Sequence, residues 1–216
     1  MTREEGTGRV GQFVRRLLEF GLDRRGPVES AAEYGRRVRN HSSSDDDAIR
    51  KIRRQFLLGG GIGGVVTGIG GFVTMPVAIP VNVLEFYIQA TRMVGAIATV
   101  RGHDISDPGV RTAVLLTLVG SRAQDILANV GVTSTTGPLA TIALRRLPPE
   151  ALMMVNKAIG MQLLKSLGER TLTKLGRAVP FAGGVIGGGV DVWMMKRIAD
   201  QAQRGFPEVK ITEAGA

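Results

Sequence analysis

The sequence predicts an all-α protein: a multi-helix bundle with two glycine-rich, hairpin-like apolar helices and an N-terminal helical arm. Three observations support this fold class. Apolar residues recur at helical spacing along most of the 216 residues. No alternating pattern typical of a β-strand lasts more than a few residues, and proline and glycine lie between the periodic stretches, where they mark helix ends. We divide the chain into an arm (1–44), a helical domain (45–206) and a flexible tail (207–216).

The composition argues against several classes of function. The absence of Cys excludes disulfide scaffolds, thiolate zinc sites, iron–sulfur clusters and Cys nucleophiles. With only two His, His41 and His103, we expect no metal site and no cofactor. The net charge of +9 is spread along the chain and suits anionic lipid or nucleic acid. Aromatic residues that could stack on bases are scarce, so we do not expect a nucleic-acid partner.

The first residues contain no signal for secretion or lipid attachment. Acidic residues stand where a signal peptide is positive, and no apolar run follows them. The second residue is Thr2, where myristoylation needs a glycine, and the chain has no Cys to carry a prenyl or palmitoyl group. We therefore expect a cytoplasmic protein whose membrane attachment, if it has one, comes from the polypeptide itself.

The arm begins with a helix in which Val10, Phe13 and Leu17 recur at helical spacing among arginines. Two interpretations stay open: a basic amphipathic helix lying on an anionic surface, or a terminal helix packed on the core. A short polar helix over Val28–Asn40 follows. Ser44 and Asp47 then have capping-box-like spacing for the next helix. The triplet Asp45–Asp47 has the chemistry to ligate a cation, but its place in the first turn is explained by the helix dipole.

A long uncharged segment follows, from Gln55 to Leu84, with 30 residues and enough length to cross a bilayer as a helix. Its best windows reach a mean hydropathy of only about 1.6, at the limit for a spanning segment. Eight of the 13 residues from Gly59 to Gly71 are glycine. Such a sequence is a poor isolated helix, so we expect another surface to pack against it.

Glycines four residues apart form two stripes without side chains, where another helix can approach closely. We predict that the stripes pack against each other or across an oligomer, and that they form the lipid or membrane contact. They comprise Gly59, Gly60, Gly63, Gly64 and Gly68 in the first segment, and Gly183, Gly184, Gly187 and Gly188 in the second. A G-x-G-x-x-G match at Gly59 follows no strand and lies in no βαβ pattern, which argues against a nucleotide site.

The remaining periodicity predicts further helices, separated by a turn at Arg101–Asp104 and ending in a frayed tail from Phe206-Pro207. Ser106 or Asp107 caps the second of these helices, with Pro108 in its first turn. The first predicted helix runs from Pro80 to about Val100, and the capped helix begins at Pro108. Residues Val114 to Asn129 form one or two apolar helices around Gly120, and a short element covers Pro138 to Arg146. The last two helices run from Pro148-Pro149-Glu150 to roughly Leu175 and from Phe181 to Arg204.

Three stretches resemble the EcsC family, bacterial proteins named after the third gene product of an ABC-transporter locus. They are the glycine run continuing into Pro76 and Pro80-Val81-Asn82; the turn Arg101-Gly102-His103-Asp104; and Lys174 followed by Pro180-Phe181-Ala182-Gly183-Gly184, Gly187-Gly188-Gly189 and Asp191. In the turn, Gly102 and Asp104 match the family's Tyr-Gly-Phe-Asp pattern, whereas Arg101 and His103 depart from it. The resemblance spans roughly residues 55–206. It implies an all-helical, membrane-associated or lipid-facing domain, and it carries over no catalytic residues.

Two sets of residues form a candidate polar site. His103, with Asp104 and Asp107 nearby, has the composition of a general base with an orienting carboxylate. Glu85 and Asp191 are isolated acids beside glycine-rich apolar helices, and if buried each would need a partner. They are either structural ion pairs or the polar floor of an apolar cavity that receives a lipid headgroup.

We therefore expect a membrane-associated helical protein, peripheral or partly inserted, that contacts anionic lipid at the inner face of the cell membrane. No catalytic activity is expected of it. Two alternatives stay open: a soluble module with an apolar cavity for a fatty acyl or isoprenoid ligand, and a hydrolase using His103. A homo-oligomer or a larger membrane-linked assembly is compatible with the first two.

Overall fold

The computed structural model describes residues 3–58, 81–129, 131, 144–175 and 183–209, and within them it confirms the all-α bundle. These residues contain no strand, only an isolated bridge between Arg25 and Val28. The helices are α1 (Arg3–Leu22), α2 (Ala31–Asn40), α3 (Asp45–Leu57), α4 (Val81–Val100), α5 (Pro108–Val119), a 3₁₀ turn (Gly120–Arg122), α6 (Ala123–Ala128), α7 (Pro149–Leu175) and α8 (Gly183–Gly205).

Helix α4 is the centre of the bundle. Its side chains are buried on nearly every face; Ile88, Met93 and Ile97 are fully buried. It packs against α1, α2, α3, α5 and α8. The outer helices contact one another in the order α1, α2, α3, α8, α5, α7 and back to α1, so they form a ring around α4. A helix that is apolar all round is stable only when it is enclosed in this way.

Small residues let α1 and α2 approach α4 closely. A Cβ on Gly35 of α2 would lie 2.8 Å from the carbonyl oxygen of Ala96, and one on Gly21 of α1 would lie 2.6 Å from Cβ of Thr91. Both distances are too short for a real side chain. Glycine-mediated helix packing therefore operates in this protein, although at glycines outside the two predicted stripes.

The first helix packs on the core, which confirms the second interpretation of the arm. Phe13 and Leu17 are buried, and α1 contacts both α4 and α7. The hydrophobic core is continuous across residue 44, because buried residues of α1 and α2 belong to the same cluster as those of α3 and α4.

Local capping signals set the helix boundaries. The side chain of Ser44 accepts a hydrogen bond from the backbone N–H of Asp47, as predicted. Of the two predicted caps of α5, Ser106 and Asp107, it is Asp107 that caps the helix ahead of Pro108. Helix α2 begins at Ala31 instead of Val28, because Ser30 forms a capping box with Glu33. Gly120 has a φ of 65°, which ends α5 and separates it from α6.

Residues 206–209 are held against the bundle, whereas the sequence predicted a frayed tail from Phe206-Pro207. Phe206 is fully buried, and its ring lies edge-on to His103 with centroids 5.2 Å apart. The backbone N–H of Val209 donates to the carbonyl oxygen of Arg101 at 2.9 Å. Residues 210–216 lie outside the described residues.

Candidate functional site

Polar contacts define one end of the bundle, which we call the turn end: the turn Arg101–Asp107 together with residues 206–209. Arg101, just after α4, donates from Nη2 to Oδ1 of Asp46 in the first turn of α3 at 2.8 Å. Its carbonyl oxygen accepts from Val209, just after α8. The start of α3, the end of α4 and the end of α8 therefore meet here.

The directions of these three helices also identify the opposite end of the bundle. The end of α3, the start of α4 and the start of α8 point away from the turn end, and the ion pair between Arg53 and Asp200 (2.5 Å) fits an antiparallel α3 and α8. Residues 59–80 and 176–182, which carry most of the predicted glycine-rich sequence, thus join the described fold at one end. We call the described residues there, 54–58, 81–85 and 183–197, the glycine end.

Large apolar side chains are exposed at the glycine end. Leu58, which follows α3, is 73% exposed, and Trp193 of α8, the only Trp of the chain, is 58% exposed; Val192 beside it is also exposed. Trp193 lies two helical turns before Asp200, which pairs with α3, so its ring is on the side of α8 that faces the end of α3. Exposed aromatic residues of this size mark interaction surfaces more often than isolated exposed aliphatics do.

Cations surround these apolar groups. The guanidinium carbon of Arg197 lies 5.5 Å from the centroid of the Trp193 ring, in cation–π geometry. Arg54 and Lys196 are exposed, and neither has an ion-pair partner among the described residues. Asp200 is neutralised by Arg53, which leaves Asp191 as the one exposed acid on this described part of α8. The described surface is therefore apolar with a positive border.

Of the two predicted glycine stripes, the second lies among the described residues. Gly59, Gly60, Gly63, Gly64 and Gly68 lie outside the described residues. Gly183, Gly184, Gly187 and Gly188 lie in the first two turns of α8, which is helical from Gly183 onward. The predicted contact between the stripes stays a prediction.

Glu85 and Asp191 both belong to the glycine end, but neither has the expected cationic partner in the described part of the chain. Glu85 is half-buried in the second turn of α4, where its Oε1 accepts from Nε2 of Gln89 at 3.4 Å. Arg92, the arginine on the same helix, donates to the backbone carbonyl oxygen of Glu29 at 2.5 Å. Asp191 is exposed, so it needs no buried partner.

His103 and Asp104 lie at the turn end, about 25 Å along α4 from Glu85. The structure thus does not bring the four candidate polar residues into one site. Nε2 of His103 lies 2.7 Å from the carbonyl oxygen of Pro207, and burial lowers the pKa of the imidazole. Asp104 accepts hydrogen bonds from the backbone N–H and hydroxyl of Ser106, which lower the pKa of its carboxyl group.

The arrangement around His103 suits packing better than proton transfer. Nδ1 is buried and has no hydrogen-bond partner in the described structure, so no carboxylate orients the ring. Asp107 is occupied with the backbone N–H groups of Gly109 and Val110 at the start of α5. The ring packs on Phe206 instead.

The acidic triplet that begins α3 is used in ion pairs. Asp45 pairs with Arg39, Asp46 with Arg101, and Asp47 with Lys51 and Arg50. The hydrogen bond from Lys51, assisted by the backbone N–H of Ser43, lowers the pKa of Asp47 to about 2. Among the residues that the structure describes, no group of His, Asp or Glu is placed to hold a metal ion.

Sequence reasoning missed Trp193 and its cations as a candidate surface. The signal was present, since a single Trp is followed three and four residues later by Lys196 and Arg197. This spacing places the cations one turn from the ring on the same helical face. Spacing alone does not say whether such a ring is exposed.

Within the described residues, no helix is at once long enough and apolar enough to cross a bilayer. Most of the uncharged segment Gln55–Leu84 lies outside those residues. Comparison of the chain with protein-family models, curated proteins and solved structures finds no match. The resemblance to the EcsC family therefore stays a prediction.

Proposed function

We propose that this protein associates with the cytoplasmic face of a membrane and contacts anionic lipid through its glycine end. The observation that supports this most directly is the exposed ring of Trp193, bordered by Arg197, Lys196 and Arg54. The proposal is for a binding protein, without a catalytic step.

The chemistry of this surface suits the boundary between water and lipid. A Trp side chain is stable at headgroup level, since its ring is apolar and its N–H can still donate a hydrogen bond. Leu58 can enter the acyl region beside it. Each basic residue near an anionic surface contributes roughly 1 kcal/mol, so Arg54, Lys196 and Arg197 together would favour anionic over neutral lipid.

The glycine-rich sequence adds a second, independent line of support. The segment Gln55–Leu84 carries no charge over 30 residues, and it joins the fold at the end where Trp193 is exposed. Uncharged residues next to a positive, aromatic border have the order found in segments that enter a membrane interface. This order fits either peripheral contact or partial insertion.

Vesicle flotation tests the proposal directly. The full chain is mixed with vesicles of phosphatidylcholine alone and with vesicles that also contain phosphatidylglycerol. We expect flotation with the anionic vesicles only, and weaker flotation at high salt because the attraction of surface charges is screened. Equal binding to both compositions, or binding to neither, would overturn the proposal.

Matched variants assign the binding to the glycine end. Lys196→Gln should weaken binding to anionic vesicles about fivefold, the equivalent of losing one basic contact near the surface. Arg36→Gln is the control, because Arg36 is an exposed cation of α2, away from the glycine end, with no ion pair in the described structure. If both variants lost binding equally, the attraction would come from net charge alone and the assigned surface would be wrong.

A further inference from the structure

Helix α7 has apolar side chains on both of its faces. Its inner face, which includes Leu152, Val155 and Ile159, is buried against α1 and α5. On its outer face Met153 is 67%, Met154 59% and Met161 55% exposed. Three exposed methionines on one helix form an apolar strip of the kind that adapts to a partner's side chains.

This outer face does not belong to the glycine end. Arg145, which precedes α7, pairs with Asp107 at the turn end, so the first turns with Met153 and Met154 lie far from the glycine end. In the ring of helices α5 separates α7 from α8. A membrane that contacts Trp193 of α8 would leave the methionines of α7 uncovered.

Two of the three charges on the face lie symmetrically about its middle, and the third, Lys157, lies at the middle itself. Glu150 lies at one end and Lys165 at the other, both exposed and without an ion pair among the described residues. Their midpoint falls between residues 157 and 158, which is also the midpoint between Met154 and Met161. If two copies of α7 lie antiparallel about this midpoint, Met154 of each faces Met161 of the other and Glu150 faces Lys165.

We infer that the outer face of α7, residues 150–165, binds the same face of a second copy of this chain in an antiparallel, two-fold pair. A two-fold interface uses one self-complementary patch on both subunits, which is the property of this face. A parallel pair would place Glu150 against Glu150 and Lys165 against Lys165. The small Ala158 opposite Lys157 leaves room for the lysine stem to lie along the interface with its ammonium group in water.

The interface is small. Sixteen residues of helix extend about 24 Å, which is short for a permanent dimer and typical of a reversible one. We therefore expect a monomer–dimer equilibrium that shifts with protein concentration. Sedimentation velocity over about a hundredfold concentration range measures it.

A charge exchange between two variants tests the antiparallel register. Glu150→Lys alone and Lys165→Glu alone should each weaken self-association about tenfold, because both attractive pairs of the dimer become repulsive. An equimolar mixture of the two variants should associate as the wild type does, since both end contacts of the mixed dimer again join one lysine to one glutamate. Failure of the mixture to associate, or a wild type that stays monomeric throughout, overturns the inference.

Disulfide trapping gives a second measurement, because the chain contains no Cys. Lys157→Cys places one thiol next to the two-fold axis, and mild oxidation should convert it to a covalent dimer. Arg36→Cys, exposed on α2, is the control and should not form the dimer at the same concentration. Equal cross-linking of both variants would contradict the assigned face.

Other occupants of the face give distinguishable results. If the wild type stays monomeric and Met154→Glu abolishes vesicle flotation, the face binds a bilayer and the dimer is wrong. The dimer does not depend on the membrane proposal. Its charge exchange is measured without lipid, so each proposal can fail alone.

Discussion

The two ends of the bundle differ in how their side chains are used. At the turn end, Arg101 binds Asp46, His103 contacts the carbonyl of Pro207, and Phe206 is fully buried. At the glycine end, Trp193 and Leu58 are exposed, and Lys196 has no ion pair among the described residues. Phe206 and its neighbours at the turn end thus hold the fold together, whereas the exposed Trp193 and Leu58 at the glycine end contribute little to it.

This difference separates residues kept for stability from residues available for binding. A buried aromatic ring contributes to the free energy of folding through its lost contact with water. An exposed aromatic ring contributes almost nothing to the free energy of folding and is available to a binding partner instead. Substitutions at the two ends should therefore change different measurements.

The largest effect on stability is expected at Phe206. Phe206→Ala removes a fully buried ring that packs edge-on to His103, and it should lower the free energy of unfolding by about 3 kcal/mol. Urea denaturation followed by circular dichroism measures this loss. Phe206→Leu keeps most of the buried volume and is the matched control, which should cost clearly less. If Phe206→Ala were as stable as the wild type, residues 206–209 would not be held as described.

Gly109 is expected to show the next largest effect. A Cβ at this position would lie 2.6 Å from Cα of Arg145 and 2.7 Å from its backbone nitrogen, so Gly109→Ala should cost about 2 kcal/mol in stability. Gly11→Ala in α1 is the control, because a Cβ there meets no atom within 4 Å. It should stabilise the protein by about 0.5 kcal/mol, since alanine is the better helix former. Equal effects of the two substitutions would show that α5 and residue 145 are not in close contact.

The sequence predicted helix caps, which depend on neighbouring residues, better than it predicted contacts between residues far apart in the chain. The caps at Ser44 and Asp107 depend on side chains within three residues of the bonds that they satisfy. Spacing alone therefore revealed the first and narrowed the second to Ser106 or Asp107. The docking of Phe206 on His103 joins residues about a hundred positions apart, and no periodicity records such a pairing. The exposed methionines of α7 were missed for a related reason, because apolar residues on both faces of a helix do not say which face is covered.

The pH dependence of stability tests the surroundings of His103 at the turn end, and we expect a smaller change in the free energy of unfolding than for the two substitutions above. Burial lowers the pKa of His103, opposed by its bond to the carbonyl of Pro207 and assisted by the charge of Arg145. The unfolded chain therefore binds more protons as the pH falls through about 6.5, and stability decreases from neutral to mildly acidic pH. His103→Phe keeps an aromatic ring beside Phe206 and cannot be protonated, so its stability should change less over this range.

The control for this measurement is His41→Gln. His41 is the only other histidine of the chain and is exposed at the end of α2, so the effect assigned to His103 should persist in this variant. Chemical denaturation at a series of pH values compares the three proteins. If His103→Phe lost stability on acidification as steeply as the wild type does, protonation of His103 would not be the cause.

The smallest effect on stability is expected from the largest side chain of the molecule. Trp193→Ala should change the free energy of unfolding by no more than about 0.5 kcal/mol, because most of the side chain is exposed and its ring contacts the exposed Arg197. The same substitution should weaken flotation with anionic vesicles, and Val209→Ala, which shortens an exposed apolar side chain at the turn end, should not. A loss of stability like that of Phe206→Ala would make Trp193 part of the core. The contrast between the two ends would then disappear, and with it the reason to assign lipid binding to the glycine end.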